Sequence, residues 1–356
     1  MFVCQTCKKS FSPNTPRWRC DCAGLLDWSS KERLTPELWA GRCPDLWRYR
    51  ECLPVRHTES IVSLGEGFTP LTKITLDSKK IYVKQDYLFP TGSFKDRGAS
   101  VLVSKMKEWG IKHCIEDSSG NAGSAIAAYC ARAGIHSDIY VPASASEAKL
   151  DQIRAYGARL ITIDGSREDT AQAALNAAES SFYASHVWHP LFMQGTKTAA
   201  FECWEQLGGC APDIVVLPVG NGSLLLGVAA GFRQLQQSGM IDSLPRLIAV
   251  QSELCSPIFQ EFHQISVSAP GPTIASGIAV AKPRRQPQII KEIRDSQGTV
   301  LAVDEDAILR AKELAARQGI YIEPSASAAL AGVRHILSEL AAQTTVVFLT
   351  GHGLKK

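Results

Sequence analysis

No stretch of this 356-residue sequence is apolar for long enough to cross a bilayer; the best candidates, 214–217 and 224–226, are broken by Pro218, Gly220 and Gly222. Charge of one sign is not in excess either. The 38 lysines and arginines face 35 acidic residues, a formal net charge of +3, which argues against a nucleic acid or an anionic membrane as partner. The opening residues lack the basic, apolar and small-residue succession of a secretory leader, so a cytoplasmic location with reduced cysteines is expected. Internal repeats and low-complexity tracts are missing, as are a Walker A loop and a G-x-G-x-x-G fingerprint. What is present, 45% hydrophobic and 21% charged residues, is the composition of a globular chain long enough for two buried cores.

The 11 cysteines are unevenly spread. Cys4, Cys7, Cys20 and Cys22 form a C-x2-C and a C-x-C pair within the first 22 residues. Four soft thiolates on two tight turns suit tetrahedral zinc; a small loop-rich cap without metal is the alternative. A polar, tryptophan-rich connector, 31–56, follows. The other seven cysteines (Cys43, Cys52, Cys114, Cys130, Cys203, Cys210 and Cys255) have no ligand spacing and read as small packing residues.

From about residue 81 short apolar runs alternate with helix-period segments. Strands are expected at 81–83, 139–141, 160–163, 214–217, 247–250 and 346–349, without the polar alternation of a half-exposed sheet. Helices are expected at 98–109, 122–133, 146–156, 168–180, 196–207, 223–237, 305–318 and 325–338. In the second of these, Ala122, Ala125, Ile126, Tyr129, Cys130 and Ala133 make one stripe, and Gly134 offers a C-cap. Such alternation predicts an α/β fold, parallel sheets with helices on both faces.

Four segments place small or polar residues where a strand hands over to a helix, the usual ligand position in open parallel sheets. Pro90-Thr-Gly-Ser-Phe-Lys95-Asp-Arg-Gly98 puts Lys95 in a first helical turn, where the positive end of the helix dipole favours the neutral, nucleophilic amine; a solvated surface lysine is the alternative. Asp117-Ser-Ser-Gly-Asn-Ala-Gly123 leaves backbone N–H groups for an anion such as a carboxylate, or is simply a capped helix start. Leu217-Pro-Val-Gly-Asn-Gly-Ser223 can cradle a phosphate or be a bare tight turn. Val346-Val-Phe-Leu-Thr-Gly-His-Gly353 sets a hydroxyl and an imidazole just past a buried strand, with glycines that admit a flat ligand.

Taken together, and with Gly65-Glu-Gly-Phe-Thr-Pro-Leu71, Gly195-Thr-Lys-Thr-Ala-Ala-Phe-Glu202, Glu323-Pro324 and the N-terminal Cys20-Asp-Cys22, the segments run in family order along nearly the whole chain. The sequence resembles the threonine synthase branch of the fold type II pyridoxal-phosphate (PLP) enzymes of amino-acid biosynthesis. That resemblance implies a two-domain, tryptophan synthase β-like fold, with 1–30 as a cysteine-rich cap, 31–98 with 190–356 as a large cofactor-binding domain, and 99–189 as a small domain. It implies pyridoxal 5'-phosphate, a small amino-acid substrate and a homodimer. Lys95 matches the Schiff-base lysine and base for the α proton, and Asn121 the asparagine beside the cofactor's phenolic oxygen. Ser118, Ser119, Gly120 and Ala122 match the loop that takes the substrate carboxylate. Gly220, Asn221, Gly222, Ser223 and Leu224 match the phosphate loop, and Thr350 the hydroxyl facing the pyridine nitrogen. A neutral hydroxyl leaves the ring a weaker electron sink, which favours β/γ-elimination or replacement over transamination.

In one segment the sequence departs from the family. Threonine synthases carry an Asn-Pro-Tyr-Arg-like run that grips the substrate phosphate; here the run is His189-Pro-Leu-Phe192. A phenyl ring cannot replace an arginine fork on a phosphate. His186, His189 and Lys197 are the candidate replacements, against ordinary buried histidines and a surface lysine. Threonine synthase chemistry, O-phosphohomoserine and water giving threonine and phosphate, is thus expected beside two alternatives: serine/threonine dehydratase-like ammonia loss, or replacement of another leaving group. A non-catalytic relative and a zinc-ribbon nucleic-acid binder are the other readings; Lys95 weighs against the first and the near-neutral charge against the second.

Overall fold

The computed structural model describes residues 1–30, 32–145, 147–266 and 269–355. Lys31, the first residue of the connector, Ser146, the expected first residue of the third helix, and Lys356 lie outside them. The chain opens with β1 (Phe2–Cys4), β2 (Ser10–Phe11) and β3 (Leu26–Trp28), then the hairpin β4 (Leu71–Leu76) and β5 (Lys79–Lys84) before α1 (Lys95–Glu108). Strands and helices next alternate as β6 (His113–Glu116), α2 (Asn121–Ala133), β7 (His136–Pro142), α3 (Glu147–Ala155), β8 (Arg159–Ile163), α4 (Arg167–Ala177) and β9 (Phe182–Tyr183). After α5 (Pro190–Thr196) and α6 (Thr198–Gln206), a second run comprises β10 (Ile214–Pro218), α7 (Ser223–Gln237), β11 (Arg246–Ser252), α8 (Pro257–His263), α9 (Gln286–Asp295), β12 (Thr299–Val303), α10 (Glu305–Arg317), α11 (Pro324–Val333) and β13 (Thr345–Phe348).

The chain divides into two compact units. The first comprises 1–67 and 95–196. Its four-stranded parallel sheet has the order β8-β7-β6-β9, and a three-stranded antiparallel sheet of β2-β1-β3 forms the cap. The core gathers Leu102, Val103 and Met106 of α1, Ile126 and Tyr129 of α2, and Ile139 and Val141 of β7; each such side chain contributes about 1.5–3 kcal/mol by leaving water. Residues 31–67, grouped in the sequence reading with 190–356, belong here. Leu46, Trp47, Leu53 and Val55 pack on Val101, and the Trp47 indole donates to Glu66 (3.1 Å) and Ser100 (3.0 Å). Helix α5 belongs here too, because Gly98 leaves room for the Phe192 ring and Gly195 lets the α5 backbone touch that of α1 at Arg97.

The second unit comprises 68–94 and 197–356. Its six-stranded sheet, β12-β11-β10-β13-β5-β4, is parallel except for β4. All five residues of β10 are buried, as a central strand covered on both faces requires. The β4–β5 hairpin closes on Asp77 and Ser78, both at positive φ (45° and 68°), the backbone of a two-residue primed turn. No helix among the described residues is long and apolar enough to cross a membrane.

Candidate active site

In the second unit the candidate loops 219–224 and 350–353 sit at the C-terminal ends of parallel strands. Strand β10 runs into Val219-Gly220-Asn221-Gly222, and α7 starts at Ser223. Gly222 is the N-cap at φ 78°, and no side chain caps the helix. A Cβ on Gly222 would run into the Ile289 side chain, and one on Gly220 would stand 3.0 Å from the Ile278 Cα. Gly222 is thus held to glycine by its φ and its neighbour, and Gly220 tolerates a side chain only if its neighbours give way. The turn therefore offers backbone N–H groups at the positive end of a 15-residue helix, the natural seat of a phosphate. Ser223 and Leu224 are buried in its first turn.

Past β13, Thr350 is buried and its carbonyl accepts the Phe94 N–H (3.0 Å). Ser93 and Gly351 form an antiparallel bridge. The Ser93 hydroxyl is fully buried and has no hydrogen-bond partner among the described residues. Gly351 lies so close to the Glu323 carboxylate that a Cβ would overlap it, and the Glu323 N–H donates to the Gly351 carbonyl (2.9 Å). Lys197 is buried at the start of α6, with its ammonium 6.0 Å from the Phe201 ring centroid. It is not the surface lysine that the sequence left open.

In the first unit Lys95 is the first residue of α1, its Nζ 5.6 Å from the centroid of the Phe192 ring. Phe192 is fully buried. The loop Ser118-Ser119-Gly120 leads into α2, with Gly120 as N-cap, Asn121 as first helical residue and Ala122 buried behind it. The Gly120 N–H donates to the Ser118 hydroxyl (3.3 Å). Gly123 allows the loop to fold back: a Cβ there would overlap the Ser118 carbonyl.

The two candidate histidines part company. His186 is buried with Nδ1 2.6 Å from Glu116 Oε1, while Glu116 Oε2 is buried without a partner among the described residues. Burial drives the His186 pKa well down, helped by the positive charges of Lys95 and Arg167. Burial likewise drives the Glu116 carboxyl well up, with the Asp117 charge adding to it. His189 instead stands among the rings of Phe2 (6.1 Å), Trp109 (6.0 Å) and Phe182 (5.5 Å), and its Nδ1 accepts the Leu191 N–H (3.3 Å). That is the setting of a core histidine.

Sequence reasoning missed three buried polar centres. Glu66 of the Gly65-Glu66-Gly67 run accepts hydrogen bonds from Trp47, Ser100, Ser63, the Leu64 N–H and Tyr129, so this run ties segments of the first unit together. The other two are Glu116 and, in the second unit, the fully buried Lys84–Glu202 ion pair (2.7 Å). Of these only Glu202, within the largely apolar α6, gave a signal in the sequence; Glu66 lies in a loop, and Glu116 and Lys84 end their strands.

Taken unit by unit, the donors fit parts of an anionic aldehyde cofactor. The second unit supplies a turn with glycines at 220 and 222 whose backbone N–H groups suit a phosphate, an unpartnered buried hydroxyl at Ser93 and a buried hydroxyl at Thr350. The first unit supplies a lysine amine over an aromatic face and a loop of hydroxyl, amide and backbone donors. The model of the family described as pyridoxal-phosphate dependent enzyme matches residues 62–351, and the chain belongs to that family.

Its relatives narrow the class. The threonine synthase of Methanocaldococcus jannaschii is 34% identical over 99% of this chain and 92% of its own length. That of Synechocystis sp. is 37% identical over 86% and 82%. Among solved structures, a threonine deaminase from T.th. (TM-score 0.67, 27% identity) and the serine racemase of Dictyostelium discoideum (TM-score 0.69, 26%) each cover 80% of this chain, and this chain covers 92% of each. The chain is thus a PLP-dependent lyase of the elimination and replacement kind, resembling threonine synthase.

Proposed function

We propose that the chain eliminates or replaces a β or γ substituent of a small amino acid with PLP held on Lys95, in the manner of threonine synthase acting on O-phosphohomoserine. The seat of Lys95 carries this reading: the amine opens α1 over the Phe192 ring, directly after the Ser93-Phe94 backbone that is tied to Thr350 and Gly351. When bound, the cofactor supplies an aldehyde for the substrate amine and a conjugated ring that stores the electron pair released at Cα. Residues Gly220 to Leu224 hold its phosphate through backbone N–H groups at the start of α7. Thr350 offers the ring nitrogen a neutral hydroxyl, and Asn121 a neutral amide to the ring oxygen. The loop of Ser118, Ser119, Gly120 and Ala122 binds the substrate carboxylate, and the freed Lys95 amine removes the Cα proton. In this reading 68–94 with 197–356 carries the phosphate loop and Thr350, 95–196 carries Lys95 and the carboxylate loop, and the enzyme works in the cytoplasm as a homodimer, an oligomeric state that light scattering on the purified chain checks.

One observation favours a second substrate class. Phe192 is fully buried where an arginine would grip a phosphate, and His186 is engaged with Glu116. Dehydratase-like ammonia loss, or replacement of an uncharged leaving group, needs no arginine fork. Incubating the enzyme with O-phosphohomoserine and, separately, with serine and threonine distinguishes the two. Release of phosphate together with threonine supports the threonine synthase reading. Ammonia and an oxo acid from serine or threonine, without phosphate release, replaces it with the dehydratase one.

A further inference from the structure

The cap's strands are two or three residues long, the size at which small folds recruit a metal or disulfides. Its four cysteines converge. The sulfurs of Cys4, Cys7, Cys20 and Cys22 all lie within 4.8 Å of one another, with Cys4–Cys22 and Cys7–Cys20 at 3.5 Å. Four thiolates around one zinc, at about 2.3 Å each, stand roughly 3.8 Å apart.

The turns around them are matched. In the first, the Cys4 N–H donates to the Lys9 carbonyl (2.9 Å) and the Lys8 N–H donates back to Cys4 (3.1 Å). In the second, the Cys20 N–H donates to the Gly24 carbonyl (3.0 Å) and the Ala23 N–H donates back to Cys20 (2.9 Å). The residue after each second cysteine, Lys8 or Ala23, is left-handed (φ 61° and 60°). The C-x-C pair is therefore the same knuckle shortened by one residue, not a broken one. The Cys7 N–H also points at the Cys4 sulfur (3.5 Å), a donor suited to a metal thiolate. Charge agrees as well: residues 1–30 hold Lys8, Lys9, Arg17 and Arg19 against Asp21 and Asp27, an excess of two cations that offsets the net charge of about −2 of zinc with four thiolates.

We propose that Cys4, Cys7, Cys20 and Cys22 bind one structural zinc ion, which holds the cap against the segment that ends at Phe192. Phe2 and Trp28 of the cap sheet pack edge to face (5.1 Å), and Phe2 reaches His189 (6.1 Å). Trp18 packs on Tyr183 (5.1 Å) and Trp188 (5.5 Å), and Arg19 pairs with Glu179 (2.7 Å). The site stands apart from the cofactor assignment and is tested without it.

The test is the metal content of the full-length chain, purified without a polyhistidine tag or chelator. About one zinc per chain is expected, released when a mercurial titrates the cap thiols. Cys7→Ser and Cys22→Ser, at the two exposed ligands, should lose that zinc, whereas Cys43→Ser and Cys210→Ser, exposed elsewhere, should keep it. Should the ligand variants fail to fold, replacement of the wild-type metal by cobalt decides through the visible bands of a tetrahedral cobalt thiolate. Four free cap thiols without metal, disulfides within the set, or bound iron would each overturn the assignment.

Discussion

Phe192 is the residue where chemistry and packing are hardest to separate. It fills the gap left by Gly98 and lies beside Lys95, so the loss of the family's arginine is built into the contact between α1 and α5. Close by, the Glu116–His186 pair has a pH signature. Unfolded, the imidazole takes up its proton as pH falls through about 6.5; folded, burial resists the charge. At this imidazole the folded chain binds fewer protons than the unfolded one, opposite in sign to the raised Glu116 carboxyl, so the stability that neutral His186 contributes is present above about 6.5 and lost as pH falls toward its lowered folded value. Denaturant unfolding between pH 7.5 and 5.5 should show the wild type losing stability faster than His186→Gln, by up to ~1.4 kcal/mol per pH unit. Equal slopes would mean that burial leaves the proton affinity of the imidazole unchanged. Of this neighbourhood the sequence showed Lys95, His186 and Phe192 through their motifs. Glu116 was hidden because a carboxylate at the end of a short strand looks like any solvated residue until its burial is known.

Burial made the central strands of the second unit legible, but not every element followed it: the edge strand β8 was expected at 160–163, and the buried β6 was missed. The expected strands at 214–217 and 247–250 are the central β10 and β11, covered on both faces. The missed strands lie mostly at margins: β4 and β12 close the two edges of one sheet, and β9, two residues long, closes an edge of the other. Edge strands mix polar and apolar positions and so lose the unbroken run that marked the centre. Helix starts carried more information than strand edges, because α7 must begin on a glycine turn. Gly222→Ala would force a left-handed residue to carry a Cβ against Ile289. Its affinity for pyridoxal phosphate, followed by absorbance titration, should fall about tenfold or more, equivalent to roughly 1.4 kcal/mol. Gly41→Ala, equally left-handed but with nothing near its Cβ, should bind the cofactor as the wild type does.

At the scale of the whole chain, the order of motifs pointed to the family, while the division into units had to be seen. Residues 31–67 carry no motif that assigns them to a side. They lie with the first unit through Trp47, Glu66 and Ser100, partners up to 53 positions apart that no local pattern announces. Both units depend on one claim about the molecule, that its cofactor is carried by Lys95. Borohydride reduction of the cofactor-loaded enzyme, followed by proteolysis and mass spectrometry, tests it directly. The account predicts a pyridoxyl group on Lys95 and none in Lys95→Ala. A label on another lysine, or an unlabelled Lys95 in enzyme that holds the cofactor, would contradict it.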